Sequence, residues 1–204
     1  MHSFEKLVEL FRQFPGIGPR QAKRFGYFLL TKDAEYLKAL TKHIAELTKE
    51  TVRCADCLRF FGRRGTATLC TVCADKDRDD SELMVVATDT DLDAIEKSNG
   101  FHGRYFVLGV TIPLLEKKTE TKPRLKELCL RVTKGVKTGA LKEIILGLSA
   151  NPEGEHTGDE LRRVLTPLLS PSIKISTLGR GLSTGSELEY ADAETLKQAL
   201  THRE

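Results

Sequence analysis

Four cysteines restrict this chain more than any other feature. Cys54-x2-Cys57 and Cys70-x2-Cys73 are two knuckles separated by twelve residues. Each pair presents two sulfurs from one tight turn, and four thiolates complete a tetrahedral Zn²⁺ shell. A closed shell of protein ligands leaves no open position for water, so the role expected of the ion is structural, with one Zn²⁺ per chain. The stretch 54–73 has too few large apolar residues for a core of its own, and metal binding would supply that folding energy. Gly62-Arg63-Arg64-Gly65 reads as a hairpin tip between the knuckles. The alternative is a set of redox or disulfide-forming dithiols, which the doubled Cys-x2-Cys spacing disfavours. It also requires export. Met1-His2-Ser3-Phe4-Glu5-Lys6 mixes acidic and basic residues where a signal peptide needs an apolar run. The fifth cysteine, Cys129, lies in an apolar helical pattern and reads as a small core residue. His43, His102, His156 and His202 are isolated and are not assigned as ligands.

Charge is distributed unevenly. The net charge of the 204 residues is only +3, yet residues 1–74 carry +6 and residues 75–204 carry −3. A basic segment joined to a mildly acidic one suggests a polyanion-facing part and a part with another task, although chance asymmetry in solvated surface would look the same. With 40% hydrophobic and 30% charged residues the composition excludes collagenous, disordered and disulfide-dense chains. No apolar run approaches the roughly 18 residues of a membrane span. A cytoplasmic location is expected.

The first fifty residues read as three helices. Ser3 is the expected cap of the first, with Phe4, Leu7, Val8 and Phe11 on one face. Pro15-Gly16-Ile17-Gly18-Pro19 stops it, and Pro19 suits the first turn of the second helix. Ala22, Phe25 and Leu29 mark the buried face of the second, and Asp33 caps a third with Leu37, Leu40, Ile44 and Leu47 directed inward. In the turn, the N–H groups of Gly18, Arg20 and Gln21 stand at a helix N-terminus, where partial positive charge favours phosphate. Arg20, Lys23 and Arg24 add full charges. Gly16 and Gly18 leave the backbone uncovered. The pattern resembles the helix-hairpin-helix motif of DNA-repair proteins, which grips backbone without reading sequence. A plain tight turn between two core helices is the bland alternative.

Beyond the charged run 75–80 the rhythm changes. Leu83–Val86, Tyr105–Leu108, Ile144–Leu146 and Ile173–Ile175 read as strands. Helical patterns lie between them around Leu92 and Ile95, around Leu125 to Val132, and over Leu161–Leu165. That alternation predicts a parallel sheet covered by helices. A last helix, capped by Asp192, holds Leu196 and Leu200. Glu153-Gly154-Glu155, with Thr157 beyond, follows the third strand, where sites form in open α/β sheets. Two acids so spaced can share a Mg²⁺ ion, and a solvated loop leading into a helix explains them equally well. Catalysis would need a third acid from the first strand. That strand ends in Val86-Ala87-Thr88, leaving Asp89 to reach in from the following loop.

The succession of hairpin, tetracysteine ribbon, Glu-Gly-Glu-x-Thr and the C-terminal Gly-Leu-x-x-Gly-x-x-Leu-Glu-Tyr-Ala-Asp resembles the RecR recombination mediators over essentially the whole chain. The resemblance implies an α/β protein of several parts. These are a helix-hairpin-helix region at 1–52, a zinc ribbon at 53–76, a Toprim domain at 77–177 and a helical oligomerisation segment at 178–204. It implies a non-enzymatic role in gap repair, as a homotetrameric ring that encircles DNA and works with RecO, and RecF where present, to load RecA. By position, Gly16, Gly18, Arg20, Lys23 and Arg24 would face DNA. Cys54, Cys57, Cys70 and Cys73 would hold zinc, Glu153 and Glu155 would contact RecO, and Glu187 to Asp192 would support subunit contacts. The family usually has Glu where this chain has Ala87, which weighs against Toprim catalysis and Mg²⁺ binding. A Mg²⁺-dependent nicking enzyme and a purely protein-binding scaffold are the alternatives.

Overall fold

In the computed structural model, which describes residues 2–114, 123–179, 182, 185, 187–191 and 193–201, His2 rather than Ser3 precedes the first helix, α1 (Ser3–Arg12). Glu5 fixes that start by accepting from the His2 N–H at 3.2 Å. The second helix, α2 (Pro19–Leu30), packs on α1 through Phe4 against Tyr27 (4.9 Å between rings) and Phe11 against Phe25 (5.8 Å). Gly26 makes that approach feasible. A Cβ there would stand 2.8 Å from the Phe4 ring, closer than side chains tolerate. The third helix, α3 (Ala34–Glu50), is capped by Asp33, whose carboxylate accepts from the Tyr36 N–H at 2.8 Å. Its apolar stripe departs from expectation, because Leu37, Ile44 and Leu47 are exposed and the helix has no buried residue. Periodicity establishes that these residues share a face; it does not supply anything to cover it.

The chain divides into two units, Met1–Thr51 and Val52–Glu204. The larger begins with strands β1 (Thr51–Arg53) and β2 (Phe60–Gly62), which pair in a two-stranded sheet. The turn between them is the first cysteine knuckle; between the knuckles the chain turns again at 64–67, where the Ala67 N–H donates to the Arg64 carbonyl at 3.0 Å, overlapping the tip expected at 62–65. Backbone bonds close this turn: the Cys54 N–H donates to the Arg59 carbonyl at 2.8 Å and the Leu58 N–H to the Cys54 carbonyl at 3.2 Å. The second knuckle leads into a single helical turn, α4 (Thr71–Ala74).

Next come β3 (Asp79–Val86), α5 (Asp89–Ser98), β4 (Gly103–Val107), α6 (Leu125–Thr138), β5 (Glu143–Gly147), α7 (Pro152–Leu165) and β6 (Lys174–Thr177). The four strands pair in parallel in the order β4-β3-β5-β6. β3 begins earlier than its apolar residues suggest, since Asp79 pairs with Gly103 through backbone alone, ahead of a register irregularity. Helix α7 also begins nine residues before the Leu161 where the apolar pattern starts. Asn151 caps it by accepting from the Gly154 N–H at 2.8 Å, with Pro152 in its first turn. A short 3₁₀ turn (Leu188–Tyr190) and α8 (Ala193–Thr201) follow; the expected cap Asp192 lies outside the described residues.

Alternation along the strands divides the core into two faces. Leu83, Val85, Phe106, Ile144 and Leu146 pack with Leu128 and Val132 of α6 and Leu161 and Leu165 of α7, and Cys129 is half-buried beside them. On the other face Met84, Val86, Tyr105 and Val107 pack with Leu92 of α5 and with Cys54, Cys57, Cys70 and Val72. The ribbon therefore shares its core with the sheet.

Polar contacts fasten the same seam. The Arg104 guanidinium donates to the carbonyls of Val72 (3.2 Å), Cys73 (3.3 Å) and Asp75 (2.9 Å) and pairs with Asp80 at 2.7 Å. Arg124 donates to the Leu58 carbonyl at 2.7 Å and the Val107 carbonyl at 3.0 Å. The Val107 N–H reaches the Cys57 carbonyl at 2.8 Å. Replacing Arg104 leaves carbonyls of a part-buried seam unmatched, so Arg104→Ala should cost about 2 kcal/mol in urea unfolding. Arg104→Lys should recover less than half of that, because one ammonium cannot fork to several acceptors. A stability equal to the parent would refute the clamp.

Candidate metal centre and nucleic-acid interface

The sulfur atoms of Cys54, Cys57, Cys70 and Cys73 all lie within 4.8 Å of one another. Cys57 Sγ and Cys70 Sγ are 3.7 Å apart. Bonds of about 2.3 Å to a tetrahedral Zn²⁺ would separate two sulfurs by roughly 3.8 Å, so the donor set fits the ion in number, type and spacing. Three of the cysteines are buried and Cys73 is partly exposed. The Cys70 N–H points at Cys54 Sγ at 3.4 Å, the kind of outer-shell hydrogen bond that orients a thiolate ligand. Protonation within the set is coupled. Hydrogen bonds from Cys57 and the other two neighbours hold the Cys54 thiol far below its ordinary range, while bonds involving Cys54 drive Cys57 and Cys73 far above theirs. Thiolates crowded this closely repel, and a divalent cation at their centre removes the repulsion.

In the smaller unit, the chain leaves α1 through turns in which the Phe14 N–H donates to the Phe11 carbonyl and the Ile17 N–H to the Phe14 carbonyl, each at 3.1 Å. Gly16 has φ +74°, a conformation that a side chain disfavours. Ile17 is half-buried, anchoring the turn, and Gly18 caps α2 in extended conformation. At both glycines the space where a Cβ would sit is open, so an approaching ligand meets backbone. Arg20, Lys23 and Arg24 are all exposed, and their spacing places them on one face of the first turns of α2. No acidic residue occupies that first turn. The five residues singled out at the hairpin thus converge on one helix start.

Glu153 and Glu155 are exposed in the first turn of α7, so they belong to the helix itself rather than to a loop before it. Gly154 between them is buried, and a Cβ there would run into the Ser149 backbone carbonyl. Thr157 is fully buried; its hydroxyl donates to the Glu153 carbonyl at 2.6 Å and accepts from the Ile112 N–H at 2.9 Å. The motif thus ties the segment after β4 to α7. Strand order reverses between β3 and β5, whose carboxyl ends flank the place where α/β sheets hold ligands. On the β3 side that place is lined by buried Ala87. Asp89 and Asp91 are both engaged elsewhere. Asp89 accepts from the Phe60 N–H at 2.8 Å, and Asp91 completes the cap of α5 by accepting from the Thr88 N–H at 2.9 Å. Among the described residues the cysteines are the one group of three or more His, Cys, Asp or Glu side chains close enough to share a metal.

Local reading of the sequence missed Arg104, Arg124 and the pair Arg59–Asp93 (2.6 Å), which join the ribbon to the α/β elements. Their partners lie far along the chain, so no local pattern marks them. The early start of α7 did carry a signal, Asn151-Pro152.

Family models match this chain in three places: "RecR, helix-hairpin-helix" over residues 4–48, "Toprim domain" over 81–179 and "RecR, C-terminal" over 181–204. The chain is 32% identical to the recombination protein RecR of Ureaplasma parvum serovar 3 over 200 residues, 98% of this chain and 94% of that one. It is 36% identical to that of Acidothermus cellulolyticus over the same shares. With the RecR of Bdellovibrio bacteriovorus the identity is 34% over 203 residues, 98% of this chain and 96% of the other. With near-complete coverage, all three parts matched in order and the four cysteines gathered as a zinc-type cluster, the chain belongs to the RecR family of recombination proteins.

Proposed function

We propose that this protein is a DNA-binding mediator of recombinational gap repair, acting as an oligomeric clamp with RecO, and RecF where present, to promote RecA loading. The observation that carries the reading is the hairpin: bare backbone at Gly16 and Gly18 beside exposed Arg20, Lys23 and Arg24. That arrangement suits phosphates and offers nothing that distinguishes bases. An oligomer is supported by apolar residues left in solvent on α3 (Ile44 and Leu47, each 64% exposed) and near the C-terminus (Leu188 67%, Tyr190 79%). The tetrameric ring itself comes from the family resemblance. Glu153 and Glu155 are read as the RecO contact, an acidic exposed helix start, in preference to a Mg²⁺ site. A non-enzymatic role is supported by apolar Ala87 at the strand end and by the engagement of Asp89 and Asp91 in structural hydrogen bonds. The Cys54, Cys57, Cys70 and Cys73 set is read as holding one structural Zn²⁺ per chain. No helix among the described residues is long and apolar enough to cross a membrane.

Anisotropy titrations should show sequence-independent DNA binding that weakens steeply with salt. Arg20→Glu with Lys23→Glu should weaken it at least about tenfold and flatten the salt slope by roughly 0.9 per lost phosphate contact. Binding unchanged by the pair would remove the hairpin from the interface. Metal analysis of protein purified without chelator should give about one Zn²⁺ per chain, and stripping the ion should lower Tm by about 10 °C. A fully folded metal-free preparation with the parent Tm would refute the structural ion. Light scattering at micromolar concentration should report a mass above that of one chain; a strictly monomeric mass would sink the clamp.

A further inference from the structure

The ribbon carries an exposed surface that neither zinc binding nor packing on the sheet explains. Phe60, in β2, is 48% exposed although it is a large apolar residue in a densely fastened region. Its backbone N–H donates to the Asp89 carboxylate at 2.8 Å. Two guanidinium groups stand over its ring, Arg53 at 5.4 Å and Arg124 at 5.9 Å from the centroid. Each guanidinium is attracted to the ring face, and an anion held between the two would further relieve their mutual repulsion. Burial and then the neighbouring Arg53 charge lower the Arg124 pKa, and the Asp89 and Glu127 carboxylates offset part of that. Arg124 is fixed by two backbone carbonyls, whereas Arg53 is exposed and its long side chain can turn toward a ligand. Directly after β2, Gly62-Arg63-Arg64-Gly65 is exposed throughout. At Gly62 and Gly65 the space for a Cβ is empty, and Gly65 has φ +54°, so the backbone is uncovered beside two further exposed arginines, Arg63 and Arg64.

We propose that Phe60, with Arg53, Arg63, Arg64 and Arg124, forms a contact surface for single-stranded nucleic acid, the ring stacking on an unpaired base and the guanidiniums meeting the flanking phosphates. The inference deepens the DNA-binding reading by naming a strand form and a second surface. An aromatic face can stack only on a base that is not already stacked within a duplex, which selects single strand. Arg53 and Arg124 at the ring, with Arg63 and Arg64 exposed directly after its strand, match a polyanion, and an exposed ring beside cations is the arrangement by which single strands are held without sequence readout. An acidic protein segment would satisfy the arginines and leave the ring without a purpose.

The chain has no Trp, so Phe60→Trp creates a single reporter at the site. Adding oligo(dT) to the zinc-loaded variant should quench that fluorescence in a saturable titration. Phe60→Ala should weaken oligo(dT) binding about 5- to 20-fold with less than a twofold change for a blunt duplex. Arg63→Glu with Arg64→Glu should weaken oligo(dT) binding at least as much. Quenching should persist in Phe60→Trp carrying Arg20→Glu and Lys23→Glu, which separates this surface from the hairpin: loss of the hairpin role alone would leave the quenching intact. No quenching together with unchanged affinity in Phe60→Ala would overturn the proposal. Equal losses on single strand and duplex would also overturn it, as would quenching by poly-glutamate and not by oligo(dT). Zinc content and Tm accompany each variant. If Phe60→Ala does not fold, the Trp signal still decides.

Discussion

Met84, Val86, Tyr105 and Val107 on the parallel strands share one buried cluster with Cys54, Cys57 and Cys70 of the ribbon, and the larger unit depends on that seam. Neither side is self-sufficient. The ribbon has too few large apolar residues for a core of its own, and without it part of one face of β3 and β4 would lie open to water. Apolar burial presses the two together, while Arg104 and Arg124 match carbonyls that the short α4 turn and the first knuckle leave unpaired. A metal that holds the cysteines in place would thereby also hold the cover of the sheet, coupling metal binding to the stability of the α/β part.

The seam also governs what the acids near the sheet can do. Asp89 stands at the start of α5, close to the place where an α/β sheet would recruit a catalytic carboxylate, yet it is spent on the Phe60 backbone. Asp91 is spent on capping. Ala87, apolar and buried, offers no carboxylate at the end of β3. The hairpin shows a comparable division of labour on a smaller scale. Its apolar residues join α1 to α2, and its glycines and three cations are left at the surface.

The elements that sequence made legible are those whose residues answer to local rules. Asp33 ahead of α3 and Asn99 with φ +53° after α5 behave as their side chains predict. The alternating strands separate into two core faces as their apolar runs suggest. The misreadings are instructive in the same terms. Gly62 to Gly65 suggested a tip because glycine permits turns, but Gly62 ends β2 and the turn closes slightly later, from the Ala67 N–H to the Arg64 carbonyl. Leu37, Ile44 and Leu47 suggested an inward face because they recur at helical spacing, but spacing is a property of one helix and burial is a property of two.

Sequence by itself determined the donor set for the metal, the glycine turn with its three cations, and the βα alternation. Each of these is set by residue type over a short span, through ligand chemistry, backbone freedom or periodicity. Tertiary structure alone decided that the ribbon covers the sheet, that Arg104 and Arg124 bind it there, that Asp89 is committed to the Phe60 backbone and that the Phe60 ring faces solvent. Those outcomes depend on which distant surfaces meet, and the free energy of burying apolar area and matching buried carbonyls exists only once they do.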